Sequence, residues 1–479
     1  MYLRGSSTWF TPSSAAADER VQVVKVAVIG GGITGLAAAF ELCERAEVTV
    51  YEPDRLGGRI KTSLFAGVPV DEGPDAFLTR SDAAVGLADS LGLTSQLVAP
   101  QAGATLVYFA KRLHRLPAGL VLGVPTDLRA LATSRLLGPL GAARAAWDLV
   151  APRTPLGEDA SVDDLVAGRF GAKAAKRLVE PLLGSIHAAS TADLSAAATA
   201  PNLLEAARSS RSLLMGLRKQ LPPPGAPRPP IFLSPQGGMS VIVERLVERL
   251  DAAGVRFVAR AAASVRAGRE AADLLQVDDD VYDAAVIAVS STDAAAILGD
   301  LAPTGLASLQ TTDVAVATFS VDRRDLHIAP DVNGILVAPT AGTLMTACSF
   351  GSNKWPHWSS NPERMVLRIS AGRHGDPGPA HYSDADLAAV LLGELGTVVG
   401  RNLSAGDWRV SRWPGAFPLY RVGHLSWVRD VRGELAKATG RVALAGSSYD
   451  GAGIPACIAS GRSAARQLSA AVSATSTNP

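Results

Sequence analysis

Residues 23–52 read VVKVAVIGGGITGLAAAFELCERAEVTVYE, and the fold turns on how they are taken. VVKVAVIG is an apolar run, as expected of a parallel strand covered on both faces. GLAAAFELCERA has the composition of a helix and VTVYE that of a second strand, so the stretch predicts one βαβ unit. Between the first strand and the helix, Gly30, Gly31, Gly32, Ile33, Thr34 and Gly35 satisfy G-x-G-x-x-G. Gly30 permits the tight turn, Gly32 lets the backbone approach a pyrophosphate, and Gly35 lets helix and strand pack closely. The helix N-terminus adds unpaired N–H donors and partial positive charge. Glu52 ends the second strand, where a carboxylate accepts from ribose hydroxyls. An acid there argues against a 2′-phosphate, so the unit predicts a dinucleotide site of the non-phosphorylated kind.

Length and composition bound what surrounds this unit. The chain has 479 residues, enough for two or three cores, and is 47% apolar and 19% charged, an ordinary globular balance. Lys+Arg number 46 against 45 Asp+Glu, which removes any global electrostatic case for nucleic acid. Cys43, Cys348 and Cys457 are too scattered for a disulfide framework, and no pair of the 7 histidines has ligand spacing, so no metal is expected. Residues 1–20 lack an apolar segment and read as a disordered extension rather than a signal peptide. The uncharged run Val332–Asn353 is long enough to consider as a membrane span. Asn333, Gly334, Pro339 and Gly342 instead divide it into two strands around a turn, and no transmembrane helix is expected.

Further α/β pieces recur late. SPQGGMSVIVERLVERLDAAGVRFVAR (234–260) predicts glycine turn, amphipathic helix and strand; YDAAVIAVSS (282–291) predicts another buried strand; RVALAG (441–446) leads into a final helix. Between them, Leu, Ala and Arg alternate at helical spacing over about 118–183, LPPPGAPRPP (221–230) is an extended loop, and strands dominate 314–427. The expected fold class is α/β: a discontinuous Rossmann-like nucleotide-binding domain, a mixed α+β substrate domain and a small helical subdomain. The boundaries drawn are 24–75, 231–292 and 438–472 for the nucleotide-binding domain, 76–117, 181–230 and 293–437 for the substrate domain, 118–180 for the helical subdomain, and 1–23 for the extension.

Soon after Glu52 comes LGGRIKT (56–62), whose glycines and Arg59 suit either a loop over a second phosphate or a plain surface turn. With Glu52 it resembles the GGR signature of flavin amine oxidases. The next stretch, VDEGPDAFLTR (70–80), resembles the EGPDSFL segment of the bacterial protoporphyrinogen/coproporphyrinogen III oxidase family of Gram-positive type. LHRLPAGLVLGVPT (113–126), VEPLLGSIHAAS (179–190), LMTACSFGSNKWPHW (344–358), SRWPGAFPLYRVGHL (411–425) and GSSYDGAGIPACI (446–458) resemble further family segments in the same order. The resemblance covers about residues 24–470.

What it implies is an FAD enzyme of haem biosynthesis. It would convert coproporphyrinogen III to coproporphyrin III, removing six electrons in three hydride transfers and reducing O2 to H2O2. Alternatives are protoporphyrinogen IX as the main substrate, another flavin amine oxidase-like enzyme, or a non-catalytic porphyrin-binding flavoprotein. By match, the cofactor contacts extend from Gly30–Gly35 and Glu52 to Gly58, Arg59, Gly73, Pro74, Asp75, Ala76, Trp413, Gly446, Gly453, Ile454 and Pro455. The family also implies a cytoplasmic enzyme with at most peripheral contact at the inner face of the membrane, and hand-over of product to ferrochelatase. It leaves the oligomeric state open.

The chemistry asks little of protein side chains, and no Ser/His/Asp or Cys/His arrangement is evident. The propionates of the substrate call for cations, and Arg80, Lys354, Arg412 and Arg421 are the candidates by position. Relatives of eukaryotic type carry an arginine where Thr105 stands here, so their clamp does not transfer. Ser447 stands where many FAD enzymes have an acid, which favours backbone contacts there. His187, His357 and His424 read as structural before catalytic, and Trp355 and Trp358 as stacking platforms or core.

Overall fold

Strand Lys25–Ile29 lies at the centre of a five-stranded parallel sheet. Its order is Arg256–Val258, Glu47–Tyr51, Lys25–Ile29, Ala284–Ile287, Val442–Leu444, so three distant parts of the chain build one sheet. Val28 aligns with Val50 on one side and Val286 on the other. The computed structural model describes residues 24–476 except 135, 154, 224–228 and 269–273. The expected extension 1–23 and the middle of the proline-rich loop lie outside the described residues.

Both faces of this sheet are covered, which is why its strands are apolar throughout. Val26 and Val28 pack into a core with Leu36 and Ala39 of helix Ile33–Leu42, Leu246 of helix Ser240–Ala252 and Ile458 of helix Ile454–Ser476. Ala27 and Ile29 point the other way, into a core with Tyr282, Val428 and Leu435. The βαβ reading and the α/β class are both borne out. Glu47–Tyr51 follows Lys25–Ile29 on one side and Ala284–Ile287 lies on the other, so the carboxyl end of Lys25–Ile29 is a switch point, where ligands of such sheets bind.

A second sheet has seven strands: Ala405–Pro418, Thr311–Asp322, Arg364–Ala371, Met345–Ser349, Val332–Val337, Ala104–Phe109, Arg112–Arg115 in order. Neighbours are antiparallel except Val332–Val337 with Ala104–Phe109. The uncharged run forms two of these strands around a turn at Pro339–Ala341, as expected. No helix among the described residues is long and apolar enough to cross a membrane. Phe319, Leu367 and Ile369 pack under Leu387, Leu391 and Leu395 of helix Asp384–Val399. The opposite face is polar: Arg409 and Arg368 flank Thr318 across three adjacent strands. That polar face meets the nucleotide-binding region, since Arg368 donates to the Asp71 carbonyl at 2.9 Å and Arg409 to the Val70 carbonyl at 2.9 Å.

The third layer is helical, with Leu131, Leu165, Leu178, Leu203 and Leu217 in one core. Pro181 sits inside Ala175–Gly184, which winds in wide π-helical turns. Two segments pack elsewhere than the expected boundaries place them. Helix Asp82–Ser90 buries Ala84, Leu87 and Ala88 in the nucleotide-binding core, and helices Pro201–Ser209 and Leu213–Gln220 belong to the helical core. Apolar faces, rather than chain order, decide where each segment settles.

Candidate active site

The glycine loop is built by three constraints. Gly30 adopts φ +106, and a Cβ there would lie 2.7 Å from the Ala288 carbonyl oxygen. A Cβ at Gly35 would lie 1.9 Å from the Gly30 carbonyl oxygen. At Gly32, by contrast, a Cβ would have nothing within 4 Å. Two glycines are therefore required for packing, and the third keeps the backbone bare where the helix presents its N–H groups. No side chain caps that helix. Glu52 accepts from the Gly31 amide at 2.8 Å, which holds its carboxylate beside the loop.

Some of the other cofactor candidates lie against this loop. The Gly57 amide donates to the Gly31 carbonyl at 2.8 Å, and a Cβ at Gly58 would come within 3.2 Å of the Gly32 α-carbon. Arg55, which the sequence did not single out, fixes the turn by donating to the carbonyls of Leu56, Gly58 and Ile60. Gly446, at φ +114, ends the strand Val442–Leu444 against Thr34. Its amide donates to Ser460 Oγ at 2.8 Å. Gly453 accepts from the Cys457 amide at 2.9 Å, and Ile454 and Pro455 open the long helix.

Gly73 is pressed between two other candidates: a Cβ there would lie 2.2 Å from the Arg59 carbonyl oxygen and 3.6 Å from Trp413 Cζ2. Trp413 Nε1 donates to the Glu72 carbonyl at 3.2 Å. Arg59 Nη2 donates to the Gly415 carbonyl at 2.5 Å. Pro74 and Ala76 are half-buried, and Ala76 packs beside Trp355 and Trp358. Both tryptophans are 0% exposed, so they fill core and offer no stacking face.

A chain of contacts then closes into a ring. Arg59 touches Gly415, whose amide donates to Asp313 Oδ1 at 2.7 Å. A Cβ on Gly372, just past the end of strand Arg364–Ala371, would meet the Asp313 carbonyl oxygen at 2.3 Å. The His374 amide donates to the Ala188 carbonyl at 2.7 Å. His187 packs edge-on to Tyr420 at 6.3 Å, and the Tyr420 hydroxyl donates to the Ser447 carbonyl, adjacent to Gly446. Arg59 is exposed and His187 half-exposed, yet burial lowers the pKa of both, that of His187 to about 4. The imidazole is therefore neutral at pH 7, and His424 is buried and likewise pushed down, first by burial.

The four candidate cations fare differently. Lys354 Nζ pairs with Asp75 Oδ2 at 2.8 Å. Burial pushes the Asp75 pKa up, but Lys354 and Arg368 outweigh it and hold the carboxyl well below its usual range. Arg412 is committed three times: to Asp384 Oδ1 at 2.8 Å and to the carbonyls of Pro379 and Tyr382, both at 2.8 Å. Arg80 and Arg421 are exposed. The structure thus gives Lys354 and Arg412 partners within the chain.

It also reveals a polar cluster that sequence reading missed. Asp71 accepts from Thr62 Oγ1 at 2.5 Å and from the Met239 amide at 2.9 Å, tying the glycine turn of 237–238 to the first segment. Arg368 Nε, Arg409 Nε and Asp71 Oδ2 are buried without hydrogen-bond partners among the described residues. Burial raises the Asp71 pKa to about 6 despite these donors and Arg368. Glu72 takes Lys61 at 2.9 Å, Ser63 at 2.8 Å and Ser411 at 2.9 Å, which together overcome its burial and lower its pKa. The available signal was alternation: Arg409, Ser411 and Trp413 share one face of their strand.

Comparison with known proteins places this geometry. Residues 33–469 match the family described as flavin containing amine oxidoreductase. The coproporphyrinogen III oxidase of Bacillus subtilis (strain 168) is 31% identical over 457 residues, 92% of this chain and 96% of its own. That of Mycobacterium leprae is 33% identical over 459 residues, 93% of this chain and 98% of its own. The protoporphyrinogen oxidase of Macaca fascicularis is 26% identical over 491 residues, 92% and 97% of the two chains. Among solved structures, a protein of Exiguobacterium sp. 255-15, provisionally named protoporphyrinogen oxidase, superposes with TM-score 0.83 at 28% identity over 94% of this chain and 99% of that one.

Proposed function

Since the chain belongs to the flavin-containing amine oxidoreductase family, we propose that it is an FAD-dependent oxidase converting coproporphyrinogen III to coproporphyrin III. The observation that carries this reading is end-to-end likeness to coproporphyrinogen III oxidases from several bacteria, at 27% to 33% identity.

The residues present fit FAD. The bare backbone at Gly32, the uncapped helix behind it and the carboxylate of Glu52 suit a pyrophosphate and a ribose. We assign the remainder of the cofactor to Gly58, Arg59, Gly73–Ala76, Trp413, Gly446 and Gly453–Pro455, which converge from three parts of the chain. The chemistry that bound FAD supplies is hydride acceptance and return of the electrons to O2 as H2O2. Everything else falls to the protein. His187 stays neutral at working pH and so offers a hydrogen-bond partner without repelling or attracting charge. Of the four candidate cations, Arg80 and Arg421 remain exposed to meet carboxylates from outside. We place the enzyme in the cytoplasm, with O2 as oxidant and a ferrochelatase as recipient of the product.

The test is direct. Purified protein should show a flavin spectrum, and coproporphyrinogen III in air should gain porphyrin fluorescence faster than protoporphyrinogen IX. No gain with either would sink the reading; faster turnover of protoporphyrinogen IX would reverse only the substrate order.

A further inference from the structure

Tyr420 stands where the three layers of the molecule meet. It comes two residues after strand Ala405–Pro418 of the second sheet, and its neighbour Leu419 is buried in the helical core. The Tyr420 carbonyl accepts from the Ser195 amide at 2.8 Å, between Leu194 and Ala196 of that same core. Its ring packs on His187 of the helical layer at 6.3 Å and on His424 at 4.5 Å. At the far end of the side chain, the hydroxyl donates to the Ser447 carbonyl, one residue after Gly446. Burial first, then Cys457 and Asp450, raise the pKa of this hydroxyl, and Arg59 opposes them, so the proton stays on and donates. Asp159 ties the same point together from the helical side. It accepts from Ser195 Oγ at 2.7 Å and from the Gly423 amide, in the turn that follows Tyr420, at 3.0 Å.

A tyrosine only 2% exposed has no water to turn to, so its hydroxyl depends on the protein partner. Movement of the Gly446–Ser447 backbone would leave a buried donor unsatisfied, which is destabilising. Release of Ser195 or His187 would free the residue that carries the hydroxyl. One side chain is therefore a strut between the helical layer and the last cofactor segment. Gly446 and Ser447 offer a cofactor their backbone rather than a charged side chain, so the setting of this peptide decides what they can hold.

We propose that Tyr420 is a positioning residue for the cofactor, holding the Gly446–Ser447 backbone in its binding setting and coupling cofactor occupancy to docking of the helical layer. This rests on the functional reading above and deepens it. Linkage is reciprocal, so FAD tightens the layer by the factor by which the layer tightens FAD.

The experiment uses flavin-loaded wild type and Y420F, which keeps the ring and loses only the hydroxyl. Released flavin is followed by its fluorescence on dilution, and hydrogen exchange is compared in wild type with and without FAD. Y420F should raise the Kd for FAD about fivefold or more, while KM for coproporphyrinogen III at saturating FAD stays within about twofold of wild type. In wild type, FAD should slow exchange over 190–197 about fivefold or more beyond its effect on helix Asp384–Val399, which lies outside these contacts. A merely structural tyrosine would lower the urea midpoint of Y420F while leaving Kd alone, and that outcome overturns the proposal. If Y420F does not fold, exchange in wild type decides: equal slowing in the two regions overturns it. Wild type that holds no flavin removes the functional reading and this role together; wild type that holds flavin, with unchanged Kd in Y420F, removes this role alone.

Discussion

A methyl group added at Gly32 meets nothing within 4 Å, whereas one added at Gly35 meets the Gly30 carbonyl oxygen at 1.9 Å. The two substitutions should therefore part company. Gly35→Ala should lower stability in urea by about 1–3 kcal/mol or more, as overpacking of a tight helix–strand contact does. Gly32→Ala should keep apoprotein stability within about 0.5 kcal/mol of wild type and yet purify with little flavin absorbance. Full flavin content in Gly32→Ala would show that the pyrophosphate does not use this loop. Asp71 yields a prediction of pH dependence. Its carboxyl titrates at about 6 when folded, against about 3.9 in an unfolded chain. Between those values the folded state holds the extra proton, so stability falls as pH rises through about 4 to 6, by about 2–3 kcal/mol for this group. Asp71→Asn should flatten that slope in urea titrations from pH 4 to 7; an unchanged slope would put the titration elsewhere. At this scale the sequence was legible where a local pattern fixes geometry, as in the glycine loop. It was not where partners are remote, as with Arg368 reaching Asp71. Arg412 and Trp413 are strand neighbours, so their side chains lie on opposite faces.

At the scale of elements, the helical layer has a buried polar fastener. Asp148 is 0% exposed and receives Arg169 Nε at 2.7 Å, Ser212 Oγ at 2.7 Å and the Leu214 amide at 2.9 Å. It thereby joins the turn Trp147–Leu149 to helices Val162–Phe170 and Leu213–Gln220. Asp148→Ala would strand a buried guanidinium and several donors, costing about 3–5 kcal/mol. A urea midpoint barely moved by the substitution would mean that packing of Leu165, Leu203 and Leu217 holds the layer without it. The helices themselves were legible from spacing, but their extent was not. Residues 181–220 share apolar periodicity with 118–180, and only the common core reveals that they form one layer. Pro181, an expected breaker, is absorbed by wide turns.

The whole molecule follows from three separated segments sharing one sheet. That much could be read from recurring strand–turn–helix patterns, because buried parallel strands are apolar along their whole length. How the second sheet turns its polar face toward the first could not, since no residue-level pattern encodes the relative placement of two sheets. The same discontinuity governs how the protein comes into being. Helix Ile33–Leu42 packs against helix Ile454–Ser476, and Gly461 fits against the Thr34 carbonyl so closely that a Cβ would lie 2.1 Å away. On a ribosome, the glycine loop emerges long before the segment that completes it. Contacts of such sequence separation form slowly, and the exposed apolar strands between are open to misassembly while they wait. On the cofactor site proposed above, the nascent chain can hold a flavin firmly only after residues 442–461 have been made and docked, so a prematurely terminated product would emerge colourless and fit for degradation rather than half-active.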